Sequence, residues 1–509
     1  MKLKTNSTFW ICLLLLALLA RVSVAFYWES RLKSETLTST STTMPSNSAS
    51  RFFFGDSDSY WKLGQAIAFN RPYEFDEERH WQIFRTPGYP AILAPLFVLY
   101  GENLPTIAAR LQGALFGTLN VALVGLLAWK LLIFPARPRI WIVRLSSVFV
   151  AFDPTLILQS ILILSEESFL TFALLQNLLI LSLARKLGLL PFPSRDNAAF
   201  RKEAIYLDWQ PPRKLSWLNL FGTALLLGLT TAMTIYIRPS WYYYLPFATV
   251  VIVAFRCFTG NVHETEDYHY TQYEIIFSWR KLIFTSITVI IFVFAALGPW
   301  IARNYELTRQ FVPTSLQLGA SLYDGLNPSA TGASNMDFVD HFRQAEMANP
   351  SDSLDVHFEV RLDNRMKRAA IDWVKSDPQK ALKLAFIKIY RLWAPIPREK
   401  AFATPFLKLC LAASFVPIIL LGLAGGIKSF RKRGAAWTLL IPAFYITILH
   451  SIFVSSIRYR TPVLYGFSIL AAFFILCSFD SLSGIFNNKT RLTTTENKTS
   501  SETNEFKRI

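Results

Sequence analysis

Apolar residues in this chain come in long unbroken runs set apart by short polar stretches. The first run covers residues 9–28, with Leu13 to Leu19 at its centre. A run of about 20 apolar residues can cross the hydrocarbon core of a bilayer as a helix. In lipid every backbone N–H and C=O must be bonded within the spanning structure, which leaves helices or closed barrels. Barrel strands alternate apolar and polar side chains; these runs do not, so they read as helices. Further spans are expected near residues 105–132, 140–162, 167–186, 216–237, 241–258, 282–302, 403–427, 435–455 and 462–479. The pattern predicts an all-α polytopic membrane protein with about ten transmembrane helices.

The polar stretches differ from one another. Residues 34–50 are rich in Ser and Thr and read as a flexible tether. Within the loop 29–104, residues 59–69 and 91–99 are amphipathic and read as helices lying at the interface. Residues 303–400 carry balanced charge and a helical pattern over 360–374, which predicts a small folded cap. The expected organisation is an N-terminal transmembrane catalytic module (1–302), the cap (303–400), C-terminal transmembrane helices (401–486) and a disordered tail (487–509). The start of the chain, with Lys2, Lys4 and Ala20-Arg21-Val22-Ser23-Val24-Ala25, is compatible with a cleaved signal peptide. Continuation of the run through Phe26-Tyr27-Trp28 favours an uncleaved signal anchor.

Composition sharpens this picture. Only 17% of the 509 residues are charged, against about 25% in soluble domains. The net charge of +17 does not indicate nucleic acid as a partner, because the basic residues cluster at span ends. Lys130, Arg137, Arg139 and Arg144 fall on one side, with Arg185, Lys186, Arg195, Arg201, Lys202, Arg213 and Lys214, and with Lys428, Arg431, Lys432 and Arg433. By the positive-inside bias that side is the cytoplasm; the acidic stretch 263–274 falls there as well. Both termini are then inside. Asp56 to Arg85, Ser165 to Glu167, Arg238, the cap, and Arg458 to Arg460 are outside, giving a multi-pass protein of the cell (inner) membrane with an extracytoplasmic site. The four cysteines, Cys12, Cys257, Cys410 and Cys477, lack metal-ligand spacing, and the six histidines are scattered. A divalent metal is not indicated, and no Gly-rich phosphate loop is present.

Asp56-Ser57-Asp58-Ser59-Tyr60-Trp61 is the most suggestive polar cluster. A carboxylate at a membrane surface can serve as general base toward a hydroxyl or amine; equally, Ser57 or Asp58 can begin an interfacial helix. Ser165-Glu166-Glu167 opens a span, where one acid complements the helix dipole and two are more than a cap needs. Arg238-Pro239, Arg303-Asn304 and Arg458-Tyr459-Arg460 close spans on the outer face. Arginine binds phosphate oxygens in bidentate fashion, whereas a lone arginine there can simply snorkel to headgroups. In Arg85-Thr86-Pro87-Gly88-Tyr89-Pro90, Pro87 and Gly88 suit a tight turn and Pro90 a helix start, with Arg85 at the mouth of a site.

In their order along the chain these elements resemble those of the GT-C superfamily of integral membrane glycosyltransferases. The resemblance runs to the branch of protein O-mannosyltransferases and the lipid A aminoarabinose transferase. It is carried by Asp56 and Tyr60 after the first span, the Arg85 to Pro90 motif, Ser165-Glu166, Arg238-Pro239, Arg303-Asn304-Tyr305, and Arg458-Tyr459-Arg460-Thr461-Pro462. Where the family pairs Asp with Glu, this chain has Asp56-Ser57. The resemblance implies transfer of a hexosyl or pentosyl group from a polyprenyl-phosphate-linked sugar, with inversion, to a glycan, lipid or protein acceptor, and with membrane lipids around the donor tail. It implies Asp56 as base and Glu166 as second acid. It puts Arg458 or Arg460 on the donor phosphate; Arg238 is a further candidate for the phosphate, and Asp58, Tyr60, Arg85, Glu167 and Arg303 are the candidate substrate contacts. A multi-span lipid or glycolipid transporter or flippase is the competing reading; it calls for broken helices near the midplane. A non-catalytic scaffold would have no need of Asp56.

Overall fold

The structure, a computed structural model, describes residues 7–38, 55–76, 81–131, 136–190, 216–259, 277–396, 404–431 and 435–478. Residues 34–38 of the expected tether continue α1 as helix, whereas residues 39–50, the acidic stretch 263–274, the basic residues 195–214 and the tail lie outside the described residues. The described residues are helical apart from turns and a single bridge between Phe75 and Trp81. In chain order the helices are α1 (Ser7–Thr38), α2 (Gly55–Ala68), α3 (Gly88–Tyr100), α4 (Thr106–Leu131), α5 (Ala136–Phe152), α6 (Pro154–Ser160) and α7 (Glu166–Lys186). There follow α8 (Trp217–Ile237), α9 (Tyr244–Thr259), α10 (Trp279–Thr308), α11 (Leu318–Gly325), α12 (Phe338–Ala348), α13 (Phe358–Ser376) and α14 (Pro378–Trp393). The series ends with α15 (Pro405–Arg431), α16 (Ile441–Ile452) and α17 (Ile457–Ser478), the last opening with a 3-10 turn.

Among the described residues nine helices are long and apolar enough to cross a membrane, or ten if α5 and α6 count as one bent span. The protein is a polytopic all-α membrane protein. Several spans are apolar on the face turned away from the bundle: Ile11, Leu15 and Leu19 of α1 are 57%, 60% and 61% exposed. Water would expel such a face, and lipid accepts it.

Sequence signals account for the helix ends that matter here. Glu166 and Glu167 begin α7 and Arg185 and Lys186 finish it, matching the helix dipole at both ends. The α5–α6 pair bends by 57° where Pro154 cannot continue the α5 ladder. Asp153 caps α6 by accepting from the Leu156 N–H at 3.0 Å, and Ser414 donates to its other oxygen. The bend leaves α5 carbonyls without helical partners, and the fully buried Arg21 of α1 donates to those of Val150 and Ala151. An arginine inside the first span thus seals a broken helix.

The segment between α10 and α15 packs on the end of the bundle that carries α2 and α3. It shares its core with the first loop. Trp81 packs with Ala320, Val339, Leu362 and Met366, and Ile83 with Val312, Leu316 and Val360. Glu359, at the start of α13, accepts from the backbone N–H groups of Gln82 and Ile83. Burial pushes its carboxyl up to about 7, with Asp363 adding to the push, while the two N–H groups and Arg303 oppose it. A folded-state value above the unfolded one stabilises the fold fully below the unfolded value of about 4.3, and that contribution is lost as pH rises through the folded value. The Tm of wild type relative to Glu359→Gln should therefore fall between about pH 5 and about pH 8. Burial pushes the neighbouring His357 downward, with Arg361 adding to it, an effect of opposite sign; the variant cancels it by carrying the same histidine. A pH-independent difference would remove Glu359 from the linkage.

Candidate active site

Asp56 sits in the first turn of α2, and residues far away in sequence close around it. Arg85 Nη2 donates to Asp56 Oδ1 at 2.6 Å, and Arg458 Nη2 donates to Oδ2 at 3.0 Å. The Asp56 side chain remains 33% exposed, so the cluster is reachable. Burial alone would push this carboxyl up; the guanidiniums of Arg85 and Arg458 together outweigh that and hold it well below the usual carboxylate range.

Each partner has its own support. Arg85 lies over the Tyr60 ring at 5.2 Å and donates to Gln317 Oε1 at 3.4 Å. Tyr60 packs edge-on against Tyr89 at 5.1 Å, which ties α2 to α3. Gly88 sits where any Cβ would collide with the backbone of Tyr236 and Ile237 at the end of α8. The sequence reads Gly88 as a turn residue, but no positive φ occurs there; close backbone approach is the requirement. Gly88→Ala should destabilise the protein by about 1–3 kcal/mol, the usual scale of overpacking, read as a lowered Tm. An unchanged Tm would mean that α3 and α8 can separate freely.

Arg458 also faces the second acid. Its Nε lies 3.8 Å from Glu166 Oε1, and Arg238 Nη1 lies 3.3 Å from the same oxygen. Beneath Arg458, Gln159 of α6 donates to its carbonyl at 3.4 Å and accepts from Thr461. Asp56, Arg85, Glu166, Arg238 and Arg458 thus form one alternating chain of charge across the ends of α2, α7, α8 and α17. In such a setting two acids and three guanidiniums can handle a proton and an anion together.

Four expected site residues are placed otherwise. Arg460 is 1% exposed and turned away, donating to the carbonyls of Leu392 and Ala394 at 3.1 and 2.5 Å. It closes the end of α14. Glu167 points into the bundle, where Asn120 and Tyr465 donate to Oε2 at 2.9 and 3.4 Å. Asp58 pairs with Lys62 one turn on, at 3.0 Å. Arg303 lies over Tyr73 and Trp300 and donates to the Tyr73 carbonyl, bracing the first loop. Gln317, Gln159 and Tyr73 carry no motif; only the folded contacts reveal them. Among the described residues, no three His, Cys, Asp or Glu side chains gather in a way that could hold a metal ion.

No protein-family model matches the sequence, and no curated protein matches it. Solved structures do. The apo oligosaccharyltransferase of Archaeoglobus fulgidus superposes with a TM-score of 0.51 at 14% identity, over 96% of this chain and 52% of that one. The archaeal oligosaccharyltransferase AglB from the same organism, in complex with an inhibitory peptide and a dolichol-phosphate, gives 0.49 at 14%, with the same coverage. This chain spans about half the length of those proteins. The superposition on the apo enzyme covers nearly every helix described above, and this chain shares the fold of that membrane protein over about half of its length.

Proposed function

We propose that this chain is a glycosyltransferase that moves a sugar from a polyprenyl-phosphate donor to an extracytoplasmic acceptor. The observation that carries the reading is the placement of Asp56 between Arg85 and Arg458, at the mouth of the bundle and beside the Glu166–Arg238 pair. The acceptor is a hydroxyl or amine of a protein, lipid or glycan. Asp56 takes its proton as the acceptor atom attacks the anomeric carbon. The bond from that carbon to the phosphate oxygen breaks, the sugar inverts, and the lipid phosphate leaves with a further negative charge. Arg458 and Arg238 meet that charge; fixed donors aimed at developing charge usually lower the barrier of such a step more than anything else does.

In the resting arrangement Asp56 already fills the place of an anion against Arg458. A carboxylate held below the usual range by two guanidiniums is a poor base. When the donor phosphate takes Arg458, Asp56 loses one of its two cations and becomes more basic. Donor binding then prepares the base, so donor precedes acceptor. Glu166 keeps Arg238 and Arg458 facing each other across the phosphate position.

The orientation follows from the charge asymmetry of the loops, which puts the Asp56 end outside. The deciding experiment is incubation of the purified protein with candidate polyprenyl-phosphate sugars, followed by mass spectrometry of released lipid phosphate. Release that depends on acceptor and on Asp56 supports the reading. The bent α5–α6 span favours a second reading, lipid transport, because broken helices line transporter sites. Movement of a labelled polyprenyl lipid across a vesicle wall without phosphate release would select it.

A further inference from the structure

We propose that Tyr459 is a positioning residue that fixes Arg238 and Arg458 for an anion, and that His450 holds Tyr459 in place. Only the identity of the anion rests on the function proposed above. The Tyr459 ring lies 5.5 Å from the Arg238 guanidinium and 5.0 Å from that of Arg458. Its hydroxyl is 3.0 Å from Arg458 Nη2 and accepts from it. The His450 ring stacks on Tyr459 at 4.6 Å and 4° from parallel. His450 Nδ1 lies 2.7 Å from the Val454 carbonyl. A carbonyl can only accept, so Nδ1 carries the proton.

Two guanidiniums near one another repel, and each arginine has many rotamers to lose. Glu166 Oε1 draws both inward from one side. Both arginines meet the same Glu166 oxygen, however, at 3.3 and 3.8 Å, so neither makes the two-oxygen contact that would fix the plane of its fork. An aromatic ring attracts cations through its electron-rich face, so Tyr459 gives both arginines a common surface. His450 makes that surface rigid: it sits at the end of α16, and its bond to Val454 closes the turn that leads to Tyr459. The stack thus ties the ring to the span before it as well as to its own.

The test uses the full chain in lipid nanodiscs, with farnesyl phosphate and farnesol as probes differing only in the phosphate. Tyr459→Leu keeps apolar volume and should weaken farnesyl phosphate about tenfold, the scale of desolvated cation–π contacts, with farnesol unchanged. Tyr459→Phe should fall between wild type and Leu. His450→Ala should weaken the phosphate probe severalfold and His450→Phe should restore it, since Phe keeps the stack. Independently of any ligand, phenylglyoxal should modify Arg238 and Arg458 faster in Tyr459→Leu, while buried Arg460 stays protected as a control for folding. Unchanged modification rates, or farnesol weakened as much as farnesyl phosphate, would overturn the proposal. If wild type does not prefer farnesyl phosphate to farnesol, the donor reading fails, and the modification rates alone decide whether Tyr459 positions the arginines.

Discussion

Asp56→Asn should lower turnover by about 100-fold or more, the usual scale of general-base catalysis, without lowering affinity for the donor phosphate. Asn keeps the size of the side chain but cannot take a proton at neutral pH. It also removes the carboxylate that occupies Arg458 at 3.0 Å in the resting site. A phosphate would then meet a guanidinium with one competitor fewer, so donor binding should hold or tighten while chemistry fails. That opposite movement separates a base from a structural acid, whose loss would weaken both. Asp58→Asn should stay close to wild type, because Asp58 pairs with Lys62 on an exposed helix face, where such pairs contribute little. Glu166→Gln should fall between the two, since it loosens Arg238 and Arg458 without touching the proton. Turnover of Asp56→Asn within a few-fold of wild type would show that the first loop does not supply the base.

The spans were legible in the sequence because length and apolarity alone define them: a lipid-crossing helix is bonded within itself, whatever its neighbours. The bend at 152–154 was legible only in part. Pro154 marks it, but the expected span 140–162 ran straight through, and the partner that makes the bend tolerable, Arg21, lies 129 residues from Val150. Adjacent residues were the harder problem. Glu166 and Glu167 looked like one acidic site, yet successive residues of an α-helix point about 100° apart. One therefore faces Arg238 and the other Asn120. Arg458 and Arg460 looked alike for the same reason; two steps around a 3-10 turn of about three residues put them on different sides. The core shared by Trp81 and α13, and the stack of His450 on Tyr459, left no local pattern at all, since each partner reads alone as an ordinary apolar or aromatic position.

Arg458→Gln and Arg460→Gln should fail in different ways, although the two arginines stand two residues apart. Arg458 meets Asp56 at 3.0 Å and Glu166 at 3.8 Å, at the reachable end of the bundle. Its replacement should reduce affinity for polyprenyl phosphate by about 30-fold or more, the low end of losing one partner of a partly buried charge pair. Folding should survive, since Arg85 still holds Asp56 and Arg238 still holds Glu166. Arg460 is buried against Phe415 at 3.4 Å and donates to two carbonyls at the end of α14. Gln has the donors for at most part of this, and a buried carbonyl left unmade costs about 1–3 kcal/mol. Arg460→Gln should therefore lower Tm and yield, while the folded fraction binds polyprenyl phosphate near the wild-type level. Arg431→Gln, at the far end of α15, serves as a control for general membrane charge and should change neither quantity. A titration of polyprenyl phosphate against the three purified variants, with melting curves on the same samples, decides the matter. If Arg458→Gln and Arg431→Gln lowered affinity equally, the phosphate would be responding to overall positive charge, and Arg458 would lose its place in the site.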